Sequence, residues 1–518
     1  MFLTMRHTVR LLLAIIVMTV VMTACYEDKG NYDYIDLPEV KIEARDTIYV
    51  TQFTTLELPV NIELLGNTSV SDYDFSWRIW ANDALGTYNQ KKDICLTKDL
   101  EYEVTEMPGS YTLTLTCHNR NTGVDTYKSI NMTVQSVITE GWMVLHEKDG
   151  VTDFDLLMSP YFSDRVKEDK RIYKVYESVN HENLKGRGVS ISGFTYGGRY
   201  QEVVVVTEAG GARLDAGTMQ KTYDLSMLTT LMHSYKPENY LFYDYYWSPL
   251  RYGFDAIISD GRFYMRSVIP GLGYNLYTEP IRPGGMTYVA SPYAPKMIEY
   301  YEGMIYDEEN DRFLGVKTDG SYLWTELPDK AFNGTFFRAS DVKGHLRFIG
   351  RGFGDREYGL FEDRKTKKQT LFVFDFLHTT NSDKGKYSAD ACPELKEAKF
   401  FETGLLGPIF YYATERDIYL YDYQGTNTAQ KVYTLAESSE KITGIKLYKP
   451  CVDRYFPTHK YNCRIIIIST YNESTKEGKV YMYNVNVSNG TIDVASEKVF
   501  GGFGEIHAMG YNIPIFGT

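Results

Sequence analysis

The sequence is poor in residues that would indicate several classes of protein. Its 518 residues include only 6 cysteines and 17 prolines, which argues against a disulfide scaffold and against a proline-rich, disordered chain. Basic residues are also in deficit, because 55 Lys and Arg stand against 68 Asp and Glu, for a formal net charge of −13. Binding to the phosphates of nucleic acids needs clustered Lys and Arg. The composition therefore predicts a globular protein that does not bind nucleic acid.

Sequence motifs for catalysis and cofactor binding are missing too. The chain has no GxSxG, HExxH or GxxxxGK[ST] motif, and no GxGxxG between a strand and a helix. Its 9 histidines are scattered singly, and no Cys/His pairing has the spacing of a zinc site. The acidic run at 307–311 offers oxygen ligands for Ca²⁺, but it lacks the glycine and the distal glutamate of an EF-hand loop, so a polar hairpin tip is the simpler interpretation. We predict no catalytic residue, no cofactor and no metal site.

Aromatic residues and short β-forming runs are abundant instead. The chain contains 45 Tyr, 26 Phe and 42 Gly, a composition that suits the half-buried surface of a sheet. After residue 141, turn signals recur beside strand-like runs, at 149–150, 210–211, 260–261, 319–320, 366–369, 416–417 and 477–478. Their spacing fits a four-stranded propeller blade with its loops. We predict an all-β chain with a seven-bladed β-propeller over 141–518; the competing architecture is two further β-sandwiches.

The ends of this region predict how the propeller closes. A propeller commonly pairs its first and last strands within one blade, which leaves fewer exposed strand edges. The runs at 141–145 and 505–515 are the candidates for this pairing.

The N-terminus has the features of a bacterial lipoprotein signal peptide. Arg6 and Arg10 precede the apolar run 11–22, which is too short to span a bilayer comfortably but fits a secretory h-region. Small residues then precede Cys25, as in the lipobox whose cysteine is acylated. We predict a signal peptide over 1–24, acylation of Cys25 and a lipidated tether over 25–35, since several acyl chains anchor a protein stably. The alternative is a Sec signal followed by an incidental cysteine.

Residues 36–136 have the pattern of a small Ig-like β-sandwich, with short alternating runs and Trp77 inside one of them. The segments YDFSWR at 73–78 and PGSYTLTLT at 108–116 resemble the two core strands of PKD-type domains. The opening CYEDKGNYDY at 25–34 resembles the start of the PKD-like lipoproteins of Bacteroidetes. The chain is thus similar to that family, and the similarity implies a PKD/Ig-like sandwich ahead of the predicted propeller.

The resemblance implies more about location and function than the residues alone do. Glu27 and Asp28 resemble the surface-export signal of Bacteroides-type lipoproteins, which favours the outer face of the outer membrane over the periplasmic face. Such lipoproteins are similar to accessory components of SusC/SusD-type uptake systems, which capture glycans or peptides. This implies a non-catalytic binding protein whose partner is a SusC/SusD-type importer. The alternatives are a surface glycoside hydrolase or lyase with its site at the propeller axis, and a structural partner of an outer-membrane complex.

An aromatic run at 240–252 is the candidate ligand-binding segment, because sugar rings stack on aromatic side chains beside polar groups. Its candidate binding residues are Tyr243, Asp244, Tyr245, Trp247 and Arg251. A weaker group of the same kind comprises Tyr288, Tyr293, Tyr300 and Tyr301. Aromatic anchors also dominate contacts between proteins, and alternating members of the run could instead pack the core of a blade.

Two of the cysteines are candidates for a disulfide. Cys451 and Cys463 flank a polar, aromatic loop, and they could be joined in an oxidising compartment. The alternative is a pair of unrelated buried thiols.

Overall fold

The structure is a computed structural model that describes residues 39–512 apart from 66–67, 83–90, 136–137, 139, 164–165, 197–199, 245–252, 269–274, 297, 328–335, 339–340, 378–382 and 451–458. The chain divides into two compact units. The first comprises Met1–Ile48, Glu57–Tyr102 and Tyr111–Asn131, and the second comprises Tyr49–Leu56, Glu103–Ser110 and Met132–Thr518.

The N-terminal strands form the small sandwich that the sequence predicted. They are β1 (Glu39–Glu43), β2 (Thr47–Thr51), β3 (Thr55–Leu58), β4 (Asn61–Leu65), β5 (Tyr73–Ala81), β6 (Lys92–Cys95), β7 (Leu100–Glu103), β8 (Gly109–Asn119) and β9 (Asp125–Gln135). One sheet has the order β2-β9-β8-β5-β6, and two smaller sheets pair β1 with β4 and β3 with β7. Trp77 on β5 is fully buried beside Leu113 and Leu115 of β8, so this alternating run supplies the core.

Seven further sheets are formed by the described residues from 141 onward, and each is a propeller blade. Blade 1 contains β10 (Gly141–Lys148), β11 (Val151–Met158), β12 (Lys170–Ile172) and β35 (Glu505–Asn512); blade 2 contains β13 (Gly188–Tyr196), β14 (Tyr200–Thr207), β15 (Gly210–Asp215) and β16 (Lys221–Asp224). Blade 3 contains β17 (Pro237–Asp244), β18 (Gly253–Ser259) and β19 (Arg262–Val268); blade 4 contains β20 (Tyr301–Asp307), β21 (Arg312–Lys317) and β22 (Trp324–Glu326).

The remaining three blades have four strands each. Blade 5 contains β23 (His345–Gly352), β24 (Arg356–Glu362), β25 (Gln369–Phe374) and β26 (Asp383–Ser388); blade 6 contains β27 (Phe400–Thr403), β28 (Phe410–Ala413), β29 (Asp417–Asp422) and β30 (Thr428–Thr434); blade 7 contains β31 (Glu440–Leu447), β32 (Ile465–Asn472), β33 (Glu477–Val485) and β34 (Ile492–Phe503). In the described part of the chain, the short helices α1 (Val175–Asn180) and α2 (Leu225–Leu228) lie in connections. The all-β prediction, with a sandwich followed by a seven-bladed propeller, is confirmed.

Isolated bridges complete blades 3 and 4. Thr278 bridges to Met265 on β19, which adds an outer fourth segment to blade 3. Ala290 bridges to Asp307 on β20, whose other edge pairs with Arg312 of β21. The segment around Ala290 is therefore the innermost strand of blade 4.

The predicted closure of the ring is confirmed. β35 pairs antiparallel with β10, from Gly141 opposite Asn512 to Glu147 opposite Glu505. It is the innermost strand of blade 1, and it also contacts β13 of blade 2 and β31 of blade 7. The end of the chain thus supplies the strand that joins the last blade to the first.

Six of the seven predicted turns join the second and third strands of a blade, whereas 319–320 joins the third and fourth strands of blade 4. In that blade the equivalent hairpin tip is 308–311, so the acidic run at 307–311 lies at a hairpin.

Asp307 is fully buried there. Its carboxylate pairs with Arg312 Nε at 3.0 Å and accepts from the backbone N–H of Val289 at 3.1 Å.

Candidate functional site

The innermost strands of the seven blades run in the same direction around the central channel. Their carboxyl ends therefore meet at one end of the propeller, which we call the carboxyl face. It is marked by Thr403 at the end of β27 and Leu447 at the end of β31. The loops that lead from the first to the second strand of each blade lie on this face.

Three lysines gather inside the channel at the carboxyl face. Lys446 is next to last in β31, Lys449 lies just beyond the same strand, and Lys296 follows the innermost segment of blade 4. Blades 4 and 7 lie almost opposite each other in the ring, yet the charges of Lys446 and Lys449 act on Lys296. Lys296 and Lys446 are also exposed although they lie on or next to the innermost segments of their blades, so we infer that their side chains project into the channel. We call these three residues the lysine cluster.

Two buried glutamates lie behind the lysine cluster. Glu402 on β27 accepts hydrogen bonds from Lys449 Nζ, from the backbone N–H of Thr403 at 2.8 Å, and from the backbone N–H of Leu447 at 3.2 Å. Burial by itself would raise the pKa of Glu402, but the Lys449 and Lys446 ammonium groups hold it below its ordinary value. Both carboxylate oxygens of Glu402 are therefore engaged by the protein.

Glu357 supports the opposite side of the cluster. It is fully buried on β24, and its Oε1 accepts a hydrogen bond from the backbone N–H of Lys296 at 2.9 Å. This contact fixes the backbone from which the Lys296 side chain extends, because a buried carboxylate needs such donors.

Lys296 is in contact with water and yet surrounded by protein, as expected for a side chain in a narrow channel. Its surface is exposed, but burial in the surrounding protein lowers its pKa to about 8. The positive charge of Lys446 lowers the pKa further, and the negative charge of Glu357 raises it. Lys449 also lowers the pKa and Glu402 raises it, each by a smaller amount. Near neutral pH, part of the Lys296 population is therefore the uncharged amine.

Replacing Lys296 by Gln is expected to raise the free energy of unfolding at pH 7.5 and to have less effect at pH 10. The folded-state pKa of about 8 lies below the ordinary lysine value of 10.5, so between these values the unfolded chain holds more protons. Stability of the wild type therefore rises with pH across this window, by on the order of 1 kcal/mol because water contact screens the charge. Urea unfolding of both proteins at the two pH values measures this, and an identical pH dependence in both would contradict it.

Exposed apolar side chains lie on the same carboxyl face as the lysine cluster. Tyr300 immediately precedes β20 and is 47% exposed, Phe353 immediately follows β23 and is 40% exposed, and Leu406 lies between β27 and β28 and is 47% exposed. They come from three successive blades on the same face. Tyr300 belongs to the weaker tyrosine group of the sequence, in which Tyr288 is buried instead. The face thus combines apolar surface with convergent positive charge.

The aromatic run at 240–252 connects β17 to β18 on this same face. Tyr243 is buried between blades 3 and 4, with its hydroxyl donating to the carbonyl of Met304 at 3.2 Å. Tyr240 is buried on the opposite face of β17, against blade 2. Tyr243 therefore packs in the core, which was the alternative to stacking on a ligand. The other candidates, Tyr245, Trp247, Arg251 and the side chain of Asp244, lie outside the described residues.

Three further predictions concern residues outside the described part of the chain. Cys25, Glu27 and Asp28 precede residue 39, where the description begins. Cys451 is also outside it, whereas Cys463 is buried with its Sγ 3.3 Å from the backbone N of Leu405. Acylation, surface export and the disulfide stay predictions.

A histidine and a glutamate also meet at the carboxyl face. His459 Nε2 lies 2.7 Å from Glu140 Oε1, which also accepts from the Tyr448 hydroxyl at 2.5 Å. The backbone N–H of Tyr461 approaches His459 Nδ1 at 3.2 Å. Because Nδ1 accepts this hydrogen bond, Nε2 donates to Glu140, and both ring nitrogens are used. We interpret this contact as one that holds the loop between β31 and β32.

Sequence reasoning missed the lysine cluster because its members are far apart in the chain. The available signal was weak: Lys446 is a single charged residue near the end of the apolar run 442–447. A charged residue within an apolar strand indicates contact with solvent. Only the closed ring of blades shows that this solvent is in the channel.

Residues 25–188 match the PKD-like family model, a range that also includes β10, β11 and β12 of the propeller. No curated protein matches the chain. Among solved structures it is similar to a quinonprotein alcohol dehydrogenase-like protein from Bacteroides thetaiotaomicron, with 14% identity, TM-score 0.46, and coverage of 88% of this chain and 96% of that one.

Two carbohydrate-active proteins also show weak similarity. NanB sialidase from Streptococcus pneumoniae has 9% identity and TM-score 0.23, with 84% of this chain and 88% of that one covered. The polysaccharide lyase Uly1 has 10% identity and TM-score 0.26, with 76% and 85% covered. The blades are defined by the strand pairings described above, and these distant similarities add nothing about function.

Proposed function

We propose that the protein is a surface-anchored, non-catalytic binding lipoprotein that captures a glycan or peptide at the carboxyl face of its propeller. The proposal is carried by one observation: exposed lysines on the innermost segments of blades 4 and 7 and exposed apolar side chains of blades 4, 5 and 6 lie on the same face of the propeller. Ligand sites commonly combine apolar and aromatic surface with a few convergent polar groups. β17, which carries the first residues of the aromatic run at 240–252, also ends on that face.

The proposed location rests on the N-terminal sequence and the PKD-like domain. Cys25 would carry the acyl chains, and Glu27 and Asp28 would direct the protein to the outer surface of the outer membrane. Among the residues that the structure describes, no helix has the length and apolar character needed to cross a membrane. We further propose that the protein serves a SusC/SusD-type importer, to which it passes the captured ligand.

Phe353→Ala and Trp247→Ala are each expected to weaken ligand binding about tenfold, because Phe353 presents an exposed ring on the carboxyl face and Trp247 is a candidate binding residue of the sequence. One to three kcal/mol is typical for a hot-spot aromatic residue. The full chain, purified in detergent, would be screened on glycan and peptide arrays, and the affinity of each variant for the best ligand measured by calorimetry.

Tyr173→Ala is the matched control, since Tyr173 is 63% exposed just after β12, on the opposite face of the propeller. It should bind as the wild type does. Equal affinities of all variants would contradict a site on the carboxyl face. Complete absence of array binding would contradict capture of glycans or peptides and favour a structural partner of an outer-membrane complex.

A lyase is the second candidate, favoured by the exposed amine of Lys296, whose pKa is lowered by burial to about 8. The uncharged amine can accept a proton from the carbon next to a carboxylate, while Lys446 and Lys449 balance the charge that develops there. The glycosidic C–O bond on the adjacent carbon then breaks, which leaves a double bond in the sugar, and the departing oxygen takes a proton from water. Product analysis of every ligand that binds separates the two candidates. Recovery of the intact ligand supports capture, whereas an unsaturated product would show that the protein is a lyase.

A further inference from the structure

We infer that the captured ligand is an acidic glycan, a chain of sugar rings bearing carboxylates, which places a carboxylate between Lys446 and Lys296. This inference rests on the proposed function and specifies its ligand class. The ligand chemistry is argued from the charges that the channel leaves accessible.

Among the described residues of the lysine cluster and the two glutamates behind it, the accessible charge is positive. Lys296 and Lys446 are exposed and Lys449 is partly so, whereas Glu357 is 0% and Glu402 4% exposed. Glu402 already accepts three hydrogen bonds from the protein, and Glu357 accepts one from Lys296 N–H. A ligand that enters the channel therefore meets ammonium groups, with the carboxylates behind them.

Several positive charges held together are unfavourable unless a negative charge joins them. Lys446 and Lys449 both act against the protonation of Lys296, in a protein whose formal net charge is −13. A carboxylate between the ammonium groups would relieve that repulsion and form charge-assisted hydrogen bonds, which are stronger than neutral ones. The cluster is thus preorganised for an anion.

The exposed aromatic residues favour a glycan over an acidic peptide. Tyr300 and Phe353 present exposed ring surface on the same face as the lysines. A uronic acid has an apolar C–H face that can stack on such a ring, with its carboxylate held rigidly on the same sugar. An Asp- or Glu-rich peptide offers carboxylates but little apolar surface for these side chains.

The titratable and charged groups around Lys296 determine the pH dependence of binding. They are Lys446, Lys449, Glu357 and Glu402. Lys296 in the free protein loses its proton as pH rises through about 8, which removes one of the positive charges that attract the ligand. Affinity for an acidic glycan should therefore fall between pH 7 and pH 9.5, and less steeply in Lys296→Arg, whose guanidinium stays charged.

The test uses the full chain in detergent and a panel of uronate-containing oligosaccharides, each paired with its carboxyl-reduced, neutral form. Poly-glutamate peptides form a second arm. We expect at least one acidic oligosaccharide to bind ten times more tightly than its neutral form. Lys446→Gln should weaken that binding at least tenfold, and Lys446→Arg should retain most of it.

Lys441→Gln is the matched control, because Lys441 is an exposed lysine at the opposite end of β31, paired with Glu473 at 2.9 Å. It should bind as the wild type does. Equal binding of acidic and neutral oligosaccharides would overturn the inference but leave the proposed capture function intact. Binding of poly-glutamate alone would also overturn it and identify a peptide ligand. If no glycan or peptide binds the wild type, the proposed function itself fails.

Discussion

A chain that ends at Gly504, without residues 505–518, is expected not to fold into a stable propeller. Removing β35 leaves β10 without its seven paired residues and opens blade 1 to solvent. It also removes the buried side chains of Ile506 and Met509, each worth about 1.5–3 kcal/mol when buried. Domains of ordinary size are stable by only about 5–15 kcal/mol. Expression as insoluble protein, or loss of the cooperative thermal transition measured by circular dichroism, would show this.

The control is a chain that ends at Asn512, which keeps every residue of β35. It should unfold at the wild-type temperature. A shortened chain ending at Gly504 that melts as the wild type does would show that closure of the ring is unimportant for stability. An intermediate result is expected when a synthetic peptide of residues 505–512 is added, because the missing strand can then pair in trans.

The repeat of turn signals was enough to predict the blades because each blade needs a tight hairpin between its second and third strands. Asp149 and Asp260, for example, have positive φ angles of 55° and 53°, and the glycine after each is positive as well. Such turns strongly favour Asp, Asn and Gly. The exception is the turn at 319–320, because blade 4 uses 308–311 for this hairpin. Blade 4 still contributed one turn signal, so the predicted number of blades was seven.

Tyr243, the one candidate ligand residue whose side chain the structure describes, is buried for a reason that applies to propellers in general. Side chains on both faces of β17 are covered by neighbouring blades, so Tyr240 and Tyr243 are buried on opposite sides. Aromatic residues in a strand then report packing between blades rather than an exposed platform. The lysine cluster, by contrast, comes from blades distant in the chain, and no local pattern predicts which side chains meet across a channel.

A second large effect is expected at a buried ionic network between blades 2 and 3. Arg213 on β15 is fully buried and pairs with Glu202 of β14 and with Asp255 of β18. Asp255 also binds Arg266 Nε at 2.8 Å and accepts from the Tyr240 hydroxyl at 3.2 Å. Burial would raise the pKa of Asp255, but Arg266 and Arg213 hold it below its ordinary value. The four charges balance one another only while both arginines are present.

Arg213→Met is expected to destabilise the propeller by about 3–5 kcal/mol, the usual cost of removing one partner from a buried ion pair. Glu202 would then be buried without its cation, while Asp255 would keep Arg266. In the variant, protonation of the carboxylates relieves this penalty. In the wild type, the stability that comes from the lowered carboxyl pKa is lost as pH falls below about 4. The difference between wild type and variant should therefore narrow with acidification. Urea unfolding at pH 7 and at pH 3.5 measures the destabilisation and its dependence on pH.

The double variant Arg213→Met, Glu202→Met separates the ion pair from simple loss of packing. It should recover part of the stability, because well-packed apolar residues can replace a buried pair, and the coupling between the two sites should be about 0.5–3 kcal/mol. Lys236→Met is the matched control, since Lys236 is 74% exposed where it pairs with Asp260, and exposed pairs contribute at most about 1 kcal/mol. If Arg213→Met were no more harmful than Lys236→Met, the network would have no role in holding the two blades together.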